Sequence, residues 1–214
     1  MNISSDGLAI VKAFEGCHKA VKGRPGFFTT YDDGVGVLTI GYGHTNHHEP
    51  HFVKGDVWEQ AKCDEVLALD MRTFEHHVSR MSQVPLEQHE FDALVSWAFN
   101  TGGPASATLW KKLNAGNKAA VPKELLKWNK GGGRVLRGLT RRRKSEAALF
   151  QADFEDAFGH AGVKRPKTDE PTSTVRIPST NKEDESPTSG KFIPILLKLF
   201  NILVTAFTKR TSLK

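Results

Sequence analysis

The sequence predicts an α+β protein, with a mostly helical body beside one small hairpin sheet near the N-terminus. Apolar residues recur at helical spacing through most of residues 1–162, and between residues 29 and 45 the pattern changes to short β runs around a tight turn. The 214 residues contain only two cysteines, so the core must come from apolar burial. The composition, 38% hydrophobic and 25% charged, excludes collagen-like, disulfide-rich and wholly disordered chains.

The first predicted element is a helix whose candidate caps are Ser4, Ser5 and Asp6. This N-terminal segment lacks the basic start and the continuous apolar run of a secretory signal, so we expect no cleavable signal peptide. A strand ending at Tyr31 and a strand over residues 37–40 then flank a turn at residues 32–34. Further helices are expected at residues 58–80, 85–100, 108–115, 119–128 and 142–157.

The chain divides into three parts of unlike composition. Residues 1–162 have the composition of a globular domain. Residues 163–190 contain four prolines, nine serines or threonines and ten charged residues, which is too little apolar surface to offset the entropy of ordering, so they predict a disordered linker. Residues 191–214 contain the most apolar stretch of the protein.

This last part predicts an amphipathic helix that contacts a membrane through residues 191–210. Its apolar run of 16 residues would be about 24 Å long as a helix, which is short against the roughly 30 Å of a hydrocarbon core. Its polar residues keep to one stripe that includes Lys191 and Lys198, which favours a helix lying in the membrane interface. A spanning helix and a helix docked on the body are the alternatives.

Three residues near the N-terminus form a candidate catalytic set. Glu15 ends an apolar helix, where burial would favour the protonated carboxyl group, whereas Asp33 lies in a polar turn where a carboxylate stays ionised. Two carboxyl groups in unequal surroundings are what glycoside hydrolysis requires. Thr39, on the following strand, could hydrogen-bond the attacking water. An ordinary surface Glu and a turn-forming Asp would show the same spacing, so the spacing alone leaves both interpretations open.

Longer motifs carry a resemblance to a known family. Glu15-Gly16 is followed by YDDGVGVLTIGYGHT at residues 31–45, WAFNTGG at 97–103 and KLNAG at 112–116, and then by Gly138, Arg141–Arg143 and Glu146. In this order the motifs resemble the bacteriophage endolysin lysozymes related to phage T4 lysozyme, the muramidases of glycoside hydrolase family 24. The resemblance covers roughly residues 5–158.

The resemblance implies a lysozyme fold and hydrolysis of the β-1,4 bond between N-acetylmuramic acid and N-acetylglucosamine in peptidoglycan. By motif, Glu15 matches the general acid, Asp33 the second carboxylate and Thr39 the third member of the site. Within the same motifs we expect Tyr31, His44 and Asn100 to bind substrate, with His44 also holding the loop beneath the site. The resemblance implies no metal and no cofactor, and action in the periplasm or cell wall of a bacterial host. We also expect a monomer, attached to the inner membrane through residues 191–210. A non-lytic, membrane-linked peptidoglycan-binding scaffold with the same fold is the alternative.

One departure from the family concerns the segment between the two carboxyl groups. Glu15 and Asp33 are separated by 17 residues, more than the family usually has. We expect the extra residues at the rim of the cleft, where they would lengthen the hairpin or widen the groove. Asp32 competes with Asp33 for the catalytic role, but the register against Gly36 and Thr39 favours Asp33.

Three other patterns have simpler interpretations. The segment HTNHHEPH at residues 44–51 is rich in metal-binding side chains, but Pro50 opposes a regular helix there, so a polar loop is preferred.

Cys17 lacks a recognisable base, which favours a structural thiol over a nucleophile. Residues 108–145 hold twelve Lys or Arg and one acid; no nucleic-acid-binding motif accompanies them, so we expect contact with anionic wall polymers and no nucleic-acid partner.

Overall fold

The computed structural model describes residues 1–33 and 36–167, and the α+β class predicted from the sequence is confirmed. The helices are α1 (Ser5–Glu15), α2 (Gln60–Met81), α3 (Gln88–Thr101), α4 (Thr108–Asn114), α5 (Val121–Leu125), α6 (Arg137–Phe150) and α7 (Phe154–Ala161). The strands are β1 (Phe27–Thr29), β2 (Tyr31–Asp32), β3 (Leu38–Ile40), β4 (His44–Thr45), β5 (Val57–Glu59), β6 (Lys130–Gly131) and β7 (Arg134–Val135).

The predicted hairpin is part of a three-stranded antiparallel sheet in the order β2-β3-β4. Thr39 at its centre is paired with Tyr31 on one side and Thr45 on the other. A second antiparallel pair, β1 with β5, joins Phe27 to Glu59 and was not predicted. The extra residues between Glu15 and Asp33 therefore build a strand of their own, which fastens the rim of the hairpin to the start of α2.

Helix α1 begins with a side-chain cap and lies tightly against α3. The Ser4 hydroxyl accepts a hydrogen bond from the Gly7 amide at 3.3 Å, and the Ser4 amide donates to Asp92 of α3 at 2.9 Å. Gly7 permits this close approach, because a Cβ atom there would lie 2.6 Å from Ile3 and 2.8 Å from the Cβ of Asp92. Helix α1 ends where Gly16 adopts a positive φ of 65°.

Helix α3 is the centre of the core and is surrounded by α1, α2 and α6. Most of its residues from Phe91 onward are buried, which is why its sequence is apolar on almost every side. The Trp97 ring meets Trp110 and Trp128 edge to face, with centroids 5.7 and 5.3 Å apart. Such pairs prefer this geometry because the positive edge of one ring lies against the negative face of the other. This rigid helix holds the elements that carry the candidate site.

The helix predicted at residues 142–157 is two helices, so that prediction was wrong. Helix α6 ends at Phe150, Ala152 takes a left-handed φ of 59°, and the Asp153 carboxylate caps α7 by accepting from the Asp156 amide at 3.1 Å. The helix predicted at 119–128 is likewise shorter: a 3₁₀ turn over Lys118–Ala120 precedes α5.

Residues after 162 still contact the globular domain. Arg165 donates two hydrogen bonds to the Asp6 carboxylate, at 3.0 Å from Nε and 2.6 Å from Nη2, and its guanidinium lies 3.6 Å from the Phe154 ring centroid. Most of the predicted linker and all of the predicted tail helix at 191–214 lie outside the described residues. Among residues 1–33 and 36–167, no helix has the length and apolar character needed to cross a membrane.

Candidate active site

The three predicted catalytic residues are buried polar side chains at the junction of α1 with the three-stranded sheet. Glu15 is the last residue of α1 and 6% exposed, Asp33 follows β2 and is 6% exposed, and Thr39 on β3 is 3% exposed. Burying a polar side chain costs free energy of folding unless the side chain is hydrogen-bonded. Three of them at one junction mark a polar site built into the fold.

Tyr31 shows that these residues lie close together. Burial raises the pKa of the Tyr31 phenol, and the negative charges of Glu15 and Asp33 raise it further, so both carboxylates lie near this side chain. Thr39 is the direct cross-strand neighbour of Tyr31. The half-buried Tyr31 ring is edge-on to the exposed His18, with centroids 5.7 Å apart. Tyr31 is thus within electrostatic range of both carboxylates and is paired with Thr39 in the sheet.

A buried ion-pair network holds the Glu15 carboxylate. Arg142 of α6 donates from Nη1 to Oε1 of Glu15, from Nε to Oε1 of Glu146 at 3.1 Å, and from Nη2 to the Ser96 carbonyl at 3.2 Å. Burial lowers the pKa of Arg142, but the charges of Glu15 and Glu146 outweigh burial, so its pKa is raised. The expectation that Glu15 has apolar surroundings was therefore wrong: a charged, fully bonded arginine fixes its orientation.

The same network extends to Asn100. Arg143 donates from Nη2 to Oδ1 of Asn100 at 2.9 Å and pairs with Glu146, with 2.9 Å between Nε and Oε2. Burial lowers the pKa of Arg143 to about 10, and the adjacent charge of Arg142 acts in the same direction. Both arginines therefore pair with Glu146, which lies on the same helix. Asn100 is buried with them, linked to Glu15 through the arginines.

The two adjacent aspartates have different surroundings, as expected for a tight turn. Asp32 is exposed and its Oδ1 accepts from the Gly36 amide at 3.1 Å, whereas the buried Asp33 accepts at Oδ1 from the Val37 amide at 3.0 Å. The Thr39 hydroxyl donates to the Val37 carbonyl at 3.1 Å. Because its proton is engaged, the Thr39 oxygen can act as an acceptor toward the site.

His44 holds the loop that follows the sheet. Its Nδ1 lies 3.0 Å from Asp70 and its Nε2 lies 3.0 Å from the Pro50 carbonyl, so both ring nitrogens are bonded to protein acceptors. Burial lowers the pKa of His44, but the hydrogen bond and charge of Asp70 and the Pro50 carbonyl outweigh it, so the pKa is raised above 6.5. These contacts hold the loop after β4 against α2, and the expected contact of His44 with substrate stays a prediction.

Sequence reasoning missed two relationships at this site. The Glu15–Arg142 contact spans 127 positions, and the only local signal was the four-residue spacing of Arg142 and Glu146, which places both on one face of α6. The second is the interaction of Cys17 with Cys63, in which the Cys17 side chain lowers the pKa of the Cys63 thiol. Within residues 1–33 and 36–167, no group of three or more His, Cys, Asp or Glu side chains could hold a metal ion.

Known proteins are similar to this chain in both sequence and fold. The phage lysozyme family model matches residues 12–146. The chain is 38% identical over 178 residues to an endolysin of Bacillus phage B103, covering 82% of this chain but only 63% of that relative. It is 37% identical over 153 residues to an endolysin of Salmonella phage P22, covering 70% of this chain and 98% of the relative.

The fold comparison agrees. The crystal structure of a mutant P22 lysozyme superposes with a TM-score of 0.61 at 33% identity, covering 71% of this chain and 99% of that one. The family model includes Glu15, Asp33, Thr39 and the Arg142–Glu146 pair, so it covers every residue of the network described above. The chain therefore belongs to the phage lysozyme family.

Proposed function

We propose that this protein is a muramidase that hydrolyses the β-1,4 bond between N-acetylmuramic acid and N-acetylglucosamine in peptidoglycan, and so lyses a bacterial host. The observation that carries the proposal is the buried Glu15 at the end of α1, oriented by Arg142 and lying with Asp33 beside Tyr31. Two carboxyl groups, one fixed by an ion pair and one in a hydrogen-bonded turn, supply the acid and the base that glycoside hydrolysis requires.

Glu15 acts as the general acid. Arg142 binds Oε1, which orients the carboxyl group so that Oε2 can deliver a proton to the glycosidic oxygen. As that oxygen takes the proton, its bond to the sugar C1 breaks, and positive charge develops on the ring. The carboxylate left on Glu15 is then stabilised by the same arginine, so the ion pair is strongest when the proton has gone.

Asp33 and Thr39 hold the attacking water. The Thr39 oxygen accepts one hydrogen bond from the water, and Asp33 accepts the proton that the water loses as it attacks C1 from the face opposite the leaving group. The Val37 backbone positions both groups, because its amide donates to Asp33 and its carbonyl accepts from Thr39. This arrangement gives inversion at C1.

The test is release of reducing sugar from purified peptidoglycan by the full chain. Glu15→Gln removes the proton donor without changing the side-chain size, and we expect its rate to fall by about 10²–10⁴-fold. Glu155→Gln, an exposed position on α7, is the matched control and should keep the parent rate. Equal turnover by the parent and Glu15→Gln would exclude the assignment, and a folded parent without turnover would favour the non-lytic scaffold.

Two further parts of the proposal concern location. We propose that the protein acts as a monomer in the periplasm or wall of the host, and that residues 191–210 attach it to the inner membrane. The apolar stretch with its lysine-bearing polar stripe supports attachment. Co-sedimentation with anionic phospholipid vesicles should retain the full chain and release a chain ending at residue 190. Equal sedimentation of both chains would contradict attachment through this segment.

We propose that the exposed cations of residues 108–145 contact anionic wall polymers. Of the twelve, Arg142 and Arg143 are buried, while Lys118 and Lys127 pair with Glu90 and Glu124. The other eight are exposed: Lys111, Lys112, Lys123, Lys130, Arg134, Arg137, Arg141 and Lys144. Binding of the Glu15→Gln chain to purified walls should weaken as salt rises, since exposed charges are screened. Binding that is independent of salt would contradict this contact.

A further inference from the structure

The segment between α1 and β2 folds into a hairpin, residues 19–29, which we call the lip. The Thr29 amide donates to the Lys19 carbonyl at 3.0 Å, and the Val21 amide donates to the Phe27 carbonyl at 2.8 Å. The second arm of the lip contains β1, whose other edge is paired with β5. Hydrogen bonds along both edges of β1 therefore give the lip a fixed shape.

The base of the lip lies beside the candidate active site. The ring of His18, the residue before the lip, contacts the Tyr31 ring edge to face with centroids 5.7 Å apart. Tyr31 is in turn the cross-strand partner of Thr39, and His18 follows Glu15 by three positions. A glycan strand bound across Glu15 and Thr39 would therefore pass the base of the lip.

The backbone that leads into the lip is strained. Lys19 has a φ of 61°, in the left-handed region that residues other than glycine rarely adopt. The hydrogen bond that its carbonyl accepts from the Thr29 amide holds it in this conformation. Strained backbone persists where the surrounding structure imposes it, and such positions cluster at ligand-binding sites. The start of the lip is thus a place where the fold stores strain next to the candidate site.

The lip carries cations and no acid. Lys19, Lys22 and Arg24 are exposed, and residues 18–31 contain neither Asp nor Glu. The ion pairs found among the described residues involve none of these three cations. The adjacent strand β5 adds one acid, the exposed Glu59. The lip therefore presents three cations against one acid, which favours an anionic ligand.

Arg24 is held in place by an aromatic ring. Its guanidinium carbon lies 4.0 Å from the centroid of the Phe27 ring, which is a cation–π contact. Its backbone is fixed as well, because its amide donates to the Val21 carbonyl at 3.1 Å and its carbonyl accepts from the Phe27 amide at 3.2 Å. A guanidinium binds a carboxylate through two parallel hydrogen bonds, and positioning it beforehand reduces the entropy lost on binding.

We propose that the lip binds the peptide stems of peptidoglycan through their carboxylates, so that the protein prefers glycan strands that carry stems. This inference rests on the muramidase function proposed above, because that function places the glycan beside the lip. Each stem is joined to N-acetylmuramic acid and ends in a free carboxylate where it is not cross-linked. A stem of about five residues extends up to roughly 17 Å. The lip projects only about 10 Å beyond its base, so such a stem can reach Lys22 and Arg24.

The contact would act on substrate binding and not on the chemical step. The stem carboxylates do not react, so the lip would hold the substrate and the transition state equally well. Interactions of that kind lower KM and leave kcat unchanged. Because the three cations are exposed, added salt should screen the contact and weaken the preference for strands with stems.

The test compares two soluble substrates: un-cross-linked glycan strands with their stems, and the same strands after an amidase has removed the stems. The full chain should have a lower KM for the strands with stems. K22A/R24A should raise that KM by about 3- to 10-fold at low salt, with kcat and the KM for stem-free strands unchanged. The control R72A/K164A also removes one Arg and one Lys at exposed positions and should keep the parent values.

Binding measurements separate this inference from the proposed function. A parent that releases no reducing sugar from either substrate would contradict the muramidase function. Fluorescence anisotropy of labelled strands, measured with the Glu15→Gln chain with and without K22A/R24A, decides the inference without turnover. Tighter binding of strands with stems, lost in K22A/R24A, supports it. Equal affinity for both kinds of strand, or a preference that K22A/R24A retains, would overturn it. So would tighter binding of purified teichoic acid that K22A/R24A abolishes, which would assign the lip to phosphate polymers.

Discussion

Arg142 reaches from α6 to the carboxylate of Glu15, 127 positions earlier in the chain, and binds it inside the protein. The contact joins the last residue of α1 to the first half of α6 across the edge of α3, where the Ser96 carbonyl accepts from the same guanidinium. One arginine thus connects the candidate acid to the helical core. Removing it would leave Glu15 and Glu146 buried without their shared cation.

The first prediction concerns this arginine. Arg142→Ala should lower the free energy of unfolding by about 3–5 kcal/mol, because it leaves the buried Glu15 carboxylate without its ionic partner. Lys144→Ala, an exposed position on the same helix, is the control and should stay within about 0.5 kcal/mol of the parent. Urea unfolding followed by circular dichroism measures both, and equal losses in the two variants would show that the network does not stabilise the fold.

A second prediction separates the adjacent aspartates. Asp33→Asn should lower peptidoglycan hydrolysis by about 10²-fold or more, because the amide cannot accept the proton of the attacking water. Asp32→Asn, at the exposed neighbour, should keep the parent rate within a few-fold. Reducing-sugar release by the two variants decides the register, and a larger loss in Asp32→Asn would move the catalytic role to that residue.

A third prediction concerns pH. The pKa of His44 is raised in the folded protein, chiefly by Asp70, so the folded state binds the proton more tightly than the unfolded state. The stabilisation that protonated His44 provides is therefore fully present below about pH 6.5 and is lost as pH rises through the higher folded pKa. The free energy of unfolding of the parent, measured in urea between pH 5 and pH 9, should therefore fall as pH rises. In Asp70→Asn this fall should disappear. The exposed control His48→Asn should keep the parent slope, and a parent-like slope in Asp70→Asn would contradict the assignment.

A fourth prediction tests the contact between α1 and α3. Gly7→Ala should destabilise the protein by about 1–3 kcal/mol, since the added methyl group would lie 2.6 Å from Ile3. Gly138→Ala is the matched control, because no atom lies within 4 Å of the added group in α6 and alanine favours a helix. Thermal unfolding of both variants checks this, and a Gly7→Ala protein as stable as the parent would show that the two helices can separate at little cost.

Local signals explain which elements could be predicted from the sequence. The Ser4 cap and the hairpin around residues 32–34 both depend on neighbouring residues, which is why a single sequence reveals them. The break between α6 and α7 has a weaker signal, the single capping residue Asp153. It contains neither glycine nor proline, and Ala152 adopts a left-handed conformation that alanine rarely takes.

Contacts between distant segments account for the rest. The pairing of Thr29 with Val57 joins a predicted β run to the start of a predicted helix, and nothing in either run identifies the other as its partner. The same limit applies to Glu15. Its helix is apolar in sequence, which suggested apolar surroundings, whereas its partner Arg142 comes from a helix far along the chain. Site residues were recognisable by motif, but their electrostatic surroundings depended on tertiary structure.

The ion pair between Asp6 and Arg165 fixes the end of the described chain to the start of α1. Asp6 lies in the first turn of α1 and Glu15 at its end, so the two ends of the helix stand about 14 Å apart. The Arg165–Asp6 contact therefore joins the last described residues to the end of α1 that lies away from the candidate acid. Cutting this contact would free the start of α1 and leave the Glu15 end of the helix held by Arg142.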